Sequence, residues 1–168
     1  AWDCLPYDRL SPQPMASATR MATLARLPAL AGSAHIVLTT VSAMMQYVPP
    51  RESIGERVFQ ARPGQDLDTQ GLVKFLSANG YSRCSTVMEP GDFAVRGGII
   101  DLFPPGNTNP VRLDMFGEAL ESIRSFDPET QRSKEHCEEI SLFPAGEIHL
   151  NDGAVSRFRR GYTTTFGA

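Results

Sequence analysis

The sequence lacks the segments that would carry a chain into or across a membrane. It contains no run of about 18 consecutive apolar residues, the length that a spanning helix needs, and no charged start followed by an apolar stretch. We therefore expect a cytoplasmic protein without a membrane partner. The chain begins at Ala1 without a methionine and ends at Ala168 without an obvious closing element. This pattern predicts a fragment of a longer protein.

Motifs that hold nucleotides or carry out hydrolysis are also missing. There is no Gly-x-x-x-x-Gly-Lys-Ser/Thr loop and no Gly-x-Gly-x-x-Gly, and the pair Gly97-Gly98 is not followed by lysine. Neither Gly-x-Ser-x-Gly nor His-Glu-x-x-His occurs. Asp101 and Asp114 could be proposed as an acid–base pair, but Asp101 lies between hydrophobic residues, where an arginine partner is the commoner explanation. The sequence predicts a chain that is not an enzyme and holds no cofactor.

Cysteine and net charge are both low. The three cysteines are widely spaced and form no Cys-x-x-Cys pair, which predicts reduced thiols and no metal site. A net charge of −3 gives no global positive field for nucleic acid. Arg157, Arg159 and Arg160 end a predicted helix over 152–160, where cations usually compensate the helix dipole. DNA binding through them stays open as an alternative.

The first 48 residues have the pattern of part of an α/β domain. An Ala-rich segment predicts a helix over 15–27, and the β-branched run at 35–40 predicts a strand buried on both faces. A short helix over 41–47 follows. The double proline Pro49-Pro50 then predicts a domain boundary.

Residues 51–143 have a different pattern, that of a small antiparallel-sheet α+β domain, and 144–168 follow it as a return segment. One helix is expected to start after Asp68 and to end at Asn79-Gly80. Gly-rich and Pro-rich turns separate short apolar runs, as in antiparallel sheets. The predicted extended segments are 54–61, 81–87, 93–96, 99–103, 111–116, 119–126 and 140–143.

Alternation along the strand at 111–116 separates a core face from an outer face. Val111, Leu113 and Met115 would build the core, which leaves Arg112 and Phe116 on the outer side with Asp114. Arg96 projects outward by the same argument. Arginine and aromatic residues are enriched at the centres of protein interfaces, so these three side chains predict a docking patch for an acidic partner.

A structural reading of the same residues stays open. A neighbouring helix could cover Phe116, and Arg112 could simply pair with Asp114 or Glu118.

Several blocks of the sequence, in order along the chain, resemble the N-terminal UvrB-like region of the bacterial transcription-repair coupling factor family. The longest blocks are Leu-Pro-Tyr-Asp-Arg-Leu-Ser-Pro (5–12), Thr-Thr-Val-Ser-Ala-Met-Met-Gln (39–46), Glu-Pro-Gly-Asp-Phe-Ala-Val-Arg-Gly-Gly-Ile-Ile-Asp-Leu-Phe-Pro (89–104) and Phe-Asp-Pro-Glu-Thr-Gln-Arg-Ser (126–133), and shorter ones lie at 20–24, 49–51 and 80–81. The excision-repair helicase subunit UvrB shares some of these patterns, and a fragment of a UvrB-type protein is the alternative.

The resemblance implies a division of the chain and a partner. Residues 1–48 would be part of a degenerate motor-like domain, 51–143 an inserted domain that binds the damage-recognition ATPase UvrA, and 144–168 the start of the return. By motif, the UvrA-contacting residues of the family fall on Arg96, Arg112 and Phe116. ATP, magnesium, RNA polymerase and double-stranded DNA would be ligands of the full-length family, bound outside this chain.

Overall fold

The computed structural model describes residues 4, 9, 12–32, 34–149 and 151–167. It shows helices combined with a mainly antiparallel sheet, as the sequence predicts. In chain order the elements are α1 (Pro14–Arg26), α2 (Val41–Met44), α3 (Arg51–Gly55), β1 (Phe59–Ala61), α4 (Thr69–Ala78), β2 (Ser82–Arg83), β3 (Asp92–Arg96), β4 (Ile99–Leu102), β5 (Val111–Phe116), β6 (Ala119–Phe126), β7 (Ser133–His136), β8 (Ile140–Leu142) and α5 (Asp152–Phe166).

The predicted strand at 35–40 is wrong. These residues form neither strand nor helix, and the side chains of Ile36 and Leu38 are 90% and 91% exposed. A strand exists only as part of a ladder, because its backbone N–H and C=O groups need partners. No strand in the described part of the chain runs beside this segment. The short helix that follows is present as α2, although it ends at Met44.

The predicted strand at 54–61 is correct only in its last three residues. Pro50 precedes the helix α3, Glu52 lies in its first turn, and the Ser53 hydroxyl donates to the Pro50 carbonyl at 2.9 Å. These are features of a helix start, where proline and acidic residues are favourable. The buried Ile54 therefore belongs to a helix, and strand β1 begins only at Phe59.

Six strands form the main sheet, in the order β2-β3-β4-β5-β6-β7. All neighbours are antiparallel except β2 and β3, which are parallel. No strand was predicted at β7, because Ser-Lys-Glu-His has no apolar alternation; all four residues are exposed at the sheet edge. Strand β8 was expected in this sheet but pairs with β1 in a separate two-stranded sheet.

Helix α4 covers one face of the main sheet and builds the core. Leu72 and Leu76 are buried against sheet residues that include Phe93, Leu113 and Ile123. The helix ends at Ala78 with Asn79 as its C-cap, where the sequence predicts the end, and Gly80 follows with φ +84°. A Cβ at Gly80 would lie 2.8 Å from the backbone nitrogen of Gly146, so a larger residue does not fit there.

A buried arginine holds the segment after β8 against the end of helix α4. Arg57 is 5% exposed and donates to the Asn79 Oδ1 at 2.8 Å and to the Gly146 carbonyl at 2.7 Å. Burial lowers the pKa of Arg57. These bonds give the buried guanidinium of Arg57 and the buried amide of Asn79 hydrogen-bond partners. The second face of the main sheet carries the candidate site, and part of this face is covered by a second buried cluster of Val87, Ala94, Phe103 and Phe126.

Within the described ranges, no helix is long and apolar enough to cross a membrane. The same residues contain no group of three or more His, Cys, Asp or Glu side chains that could hold a metal ion.

Candidate functional site

The strand register brings charged side chains from four strands onto the second face of the main sheet. Asp101 in β4 lies opposite Arg112 in β5, and Arg112 lies opposite Arg124 in β6. Residues in register point to the same side of a sheet. The predicted alternation in β5 is confirmed, because Val111 and Leu113 are buried in the core.

Asp101 is the centre of this face. It is fully buried, and its carboxylate accepts bonds from two arginines that lie on different strands. Arg112 binds it in bidentate fashion, from Nε to Oδ1 at 2.7 Å and from Nη2 to Oδ2 at 3.0 Å. Arg96 donates through Nη2 to the same Oδ2. The arginine partner expected for Asp101 is therefore present twice, and both carboxylate oxygens are satisfied.

Arg112 is held from several sides. Its guanidinium carbon lies 4.9 Å from the centre of the Phe126 ring, and its Nη1 is 3.5 Å from the Gln131 carbonyl oxygen. The hydrogen bond with Asp101 raises the pKa of Arg112, although burial opposes the shift. Pairing of Arg112 with Asp114 or Glu118 was the open structural reading; its hydrogen-bonded carboxylate is Asp101 instead.

Arg96 and Arg112 differ in accessibility. The Arg96 side chain is 51% exposed, whereas that of Arg112 is 16% exposed. Arg96 can therefore direct most of its N–H groups to solvent or to a partner. Arg112 exposes only a small part of its side chain, and it serves mainly as the fixed ion-pair partner of Asp101 beside Arg96.

Phe116 is the exposed apolar residue of this face. Its side chain is 76% exposed, so the alternative that a helix covers it is wrong. It stands two residues beyond Asp114, roughly 7 Å along the strand at the usual rise per residue. Arg96 lies in the row of Asp114, because both pair in register with Ile99. Arg96 and Phe116 are therefore at the same end of the sheet.

The β3–β4 turn is fixed tightly against β5 at this end. The backbone N–H of Met115 donates to the Gly98 carbonyl at 2.7 Å, and a Cβ on Gly98 would lie 2.7 Å from the Met115 carbonyl oxygen. Glycine at this position lets the two backbones approach. The close contact sets the distance between the end of β3, which carries Arg96, and the end of β5, which carries Phe116. We call Arg96, Arg112 and Phe116 the arginine–phenylalanine surface.

A second ionic group on the same face was missed by sequence reasoning. Asp114 accepts from the Arg124 Nη2 at 2.6 Å and from the Ser122 hydroxyl. Burial alone would raise the pKa of Asp114. The hydrogen bonds from Ser122 and Arg124 and the positive charges of Arg124 and Arg112 lower it, and they prevail. In the β5–β6 register Ser122 lies opposite Asp114, and Arg124 lies diagonally from Asp114, opposite Arg112. Knowledge of this register would have been the signal for both bonds.

Helix α5 differs from its sequence prediction in length and in the position of its arginines. It runs to Phe166, past the expected end at 160, and none of its residues is buried. Arg157, Arg159 and Arg160 therefore lie in the middle of the helix and do not compensate its C-terminal dipole, which acts over the last turn.

The chain thus contains a small α+β domain whose main sheet has one helix-covered face and a second, partly covered face that carries clustered arginines and an exposed phenylalanine. The family model described as "UvrB interaction domain" matches residues 59–147, which include every strand of both sheets and the whole arginine–phenylalanine surface. The chain belongs to this family.

Curated relatives extend the likeness to nearly the whole chain. The chain is 36% identical over 165 residues to the transcription-repair-coupling factor of Escherichia coli strain K12, covering 98% of this chain and 14% of that protein. The corresponding protein of Haemophilus influenzae is 36% identical over 166 residues, 99% of this chain and 14% of its own length. That of Bacillus subtilis is 37% identical over 126 residues, 75% of this chain and 11% of its own length.

These relatives confirm the resemblance to the coupling factor family. The chain spans about a seventh of the length of the first two.

Proposed function

We propose that this chain is the part of a transcription-repair coupling factor that recruits the excision-repair protein UvrA, and that the arginine–phenylalanine surface is the contact. The observation that carries the proposal is the exposure of Phe116, 76%, at the same sheet end as the half-exposed Arg96. The family assignment and the coupling-factor relatives support the same reading.

The surface has the properties of an interface centre. A phenylalanine ring supplies a large apolar area and loses little conformational entropy on binding, and arginine supplies five N–H donors in a planar arrangement. Asp101 uses one donor atom of Arg96, so the other N–H groups of the Arg96 guanidinium remain available to carboxylates of a partner. A partner that fits offers an apolar socket for Phe116 beside acidic side chains for Arg96.

The wider role follows from the family. We infer that the domain acts as a protein-binding module and not as an enzyme, and that residues 51–143 form the binding unit between the flanking segments 1–48 and 144–168. Recruitment of UvrA to a stalled RNA polymerase would use the remainder of a full-length protein for contact with polymerase and duplex DNA. ATP and magnesium would bind there as well.

Replacing Phe116 with alanine is expected to weaken binding to purified UvrA by about 30-fold, a loss of about 2 kcal/mol typical of a buried aromatic contact residue. The melting temperature should stay within about 1 °C, because the side chain is exposed and exposed substitutions rarely alter stability. Isothermal titration calorimetry with the 168-residue chain measures the affinity.

The matched control is Phe158→Ala in helix α5, because Phe158 is 71% exposed and lies outside the proposed surface. This variant should bind UvrA as the unmodified chain does. Equal affinities of the two variants would contradict the assignment of the surface.

A further inference from the structure

We propose that Asp101 is the positioning residue of the arginine–phenylalanine surface: it holds Arg96 in the orientation in which its guanidinium meets an acidic partner. The inference rests on the proposed function and deepens it, because it names the residue that organises the contact without touching the partner. Asp101 is completely buried, so it cannot itself reach UvrA.

The position of Asp101 in the sheet makes this role possible. Strand β4 lies between β3, which carries Arg96, and β5, which carries Arg112. Two guanidinium groups that approach one point from both sides would repel each other. The Asp101 carboxylate lies between them and accepts three N–H hydrogen bonds. Its negative charge attracts both guanidinium groups and so allows them to lie close together.

The two arginines depend on Asp101 to different extents. Arg112 also packs over the Phe126 ring at 4.9 Å and lies 3.5 Å from the Gln131 carbonyl oxygen. The side-chain hydrogen bond and the ion pair of Arg96 found among the described residues both go to Asp101. The orientation of Arg96 therefore depends on this one carboxylate, and loss of the carboxylate should act on binding mainly through Arg96.

Positioning and net charge predict opposite results for Asp101→Asn. The substitution removes one negative charge and makes the surface more positive, so charge alone would tighten binding to an acidic partner and speed association. Loss of positioning would instead release the Arg96 guanidinium, which would then have to be ordered on binding. The sign of the change in affinity separates the two.

The experiment compares Asp101→Asn with Asp114→Asn in binding to purified UvrA. Asp101→Asn is expected to weaken binding by about tenfold, because the released Arg96 side chain would have to be ordered when the partner binds. Asp114→Asn makes the same chemical change in the neighbouring ionic group, whose partners are Arg124 and Ser122. It should change the affinity by less than about threefold, because those residues lie outside the proposed contact.

A double-mutant cycle identifies the arginine through which Asp101 acts. In a chain that already carries Arg96→Ala, the further change Asp101→Asn should weaken binding by less than about threefold, since coupled residues are not additive. Unchanged or tighter binding of Asp101→Asn, or an equal loss with and without Arg96, would overturn the proposal.

Should Asp101→Asn fail to fold, Asp101→Glu keeps the charge and displaces the carboxylate by one methylene. An affinity of Asp101→Glu equal to that of the unmodified chain would then overturn the proposal.

A measurement without UvrA keeps this inference separate from the proposed function. The measurement follows the Nε–H signal of Arg112 and the guanidinium N–H signals of Arg96 by NMR in the isolated chain. Asp101→Asn should speed their exchange with water, with a larger effect at Arg96. If UvrA does not bind the unmodified chain, the proposed function fails, whereas unchanged exchange at Arg96 would reject the positioning role by itself.

Discussion

Arg96→Glu is expected to weaken binding of the chain to purified UvrA by about 100-fold or more, which corresponds to about 2.7 kcal/mol. The substitution removes the half-exposed guanidinium of the proposed surface. It also points a carboxylate toward the acidic groups that the surface is expected to meet, and like charges across an interface cost several kcal/mol. Titration calorimetry at two salt concentrations measures both the loss and its electrostatic share.

Arg83→Glu provides the matched control for this reversal. Arg83 is an exposed arginine of strand β2, at the edge of the same sheet, so the change in net charge is identical. It should bind UvrA within about threefold of the unmodified chain, because exposed charges beyond about 10 Å are screened at ordinary salt. Equal losses for the two reversals would mean that UvrA responds to the overall charge of the domain and not to this surface.

Arg112→Ala is expected to lower the free energy of unfolding by about 3–5 kcal/mol, the usual cost of removing one partner from a buried ion pair. Asp101 would remain buried with Arg96 as its guanidinium partner, and the packing over Phe126 would be lost. Urea denaturation followed by circular dichroism measures the change. Arg112→Lys should recover little of it, because an ammonium group cannot form the bidentate pair.

Arg124→Ala serves as the comparison for stability. Arg124 also pairs with an aspartate on this face, but its side chain is 36% exposed, against 16% for Arg112. Partly exposed ion pairs contribute about 0–1 kcal/mol, so its effect should be small. A loss for Arg112→Ala no larger than that for Arg124→Ala would contradict a structural role of the Asp101–Arg112 pair.

Local sequence signals were sufficient for the central hairpins. Strands β3, β4, β5 and β6 lie within one residue of their predicted ends, because glycine and proline turns bound apolar runs of strand length there. Strand β7 was missed because it is an edge strand with only polar residues, so its pairing with β6 comes from the ladder and not from its own composition.

The wrong strand at 35–40 has the opposite cause to the missed strand β7: its composition is typical of a strand, but it has no partner strand among the residues that the structure describes. The run His-Ile-Val-Leu-Thr-Thr has high strand propensity, but propensity supplies no partner for its backbone, and its apolar side chains are exposed. At 51–55 the helix start at Pro50 decided the structure, and the sequence reading had treated Ile54 as the first residue of a strand. In both segments the local pattern favoured a strand, and the structure was decided by something that pattern does not contain: at 35–40 the described chain offers no partner strand, and at 51–55 a helix starts.

The candidate site was predictable in part. Alternation along β5 correctly placed Arg112 and Phe116 away from the core. The same argument could not show that Arg112 is mostly covered, because its partner Asp101 comes from β4 and its ring contact Phe126 from β6. Contacts across strands depend on register, which one sequence specifies only weakly.

Hydrogen–deuterium exchange of the chain with and without purified UvrA tests the docking surface most directly. We predict slower exchange in peptides that cover residues 94–100 and 112–119, where the ends of β3 and β5 carry Arg96 and Phe116, and unchanged exchange in helix α4 at 69–78. Protection confined to α4 or to α5, with the β3–β4 and β5–β6 turns unaffected, would show that UvrA binds elsewhere.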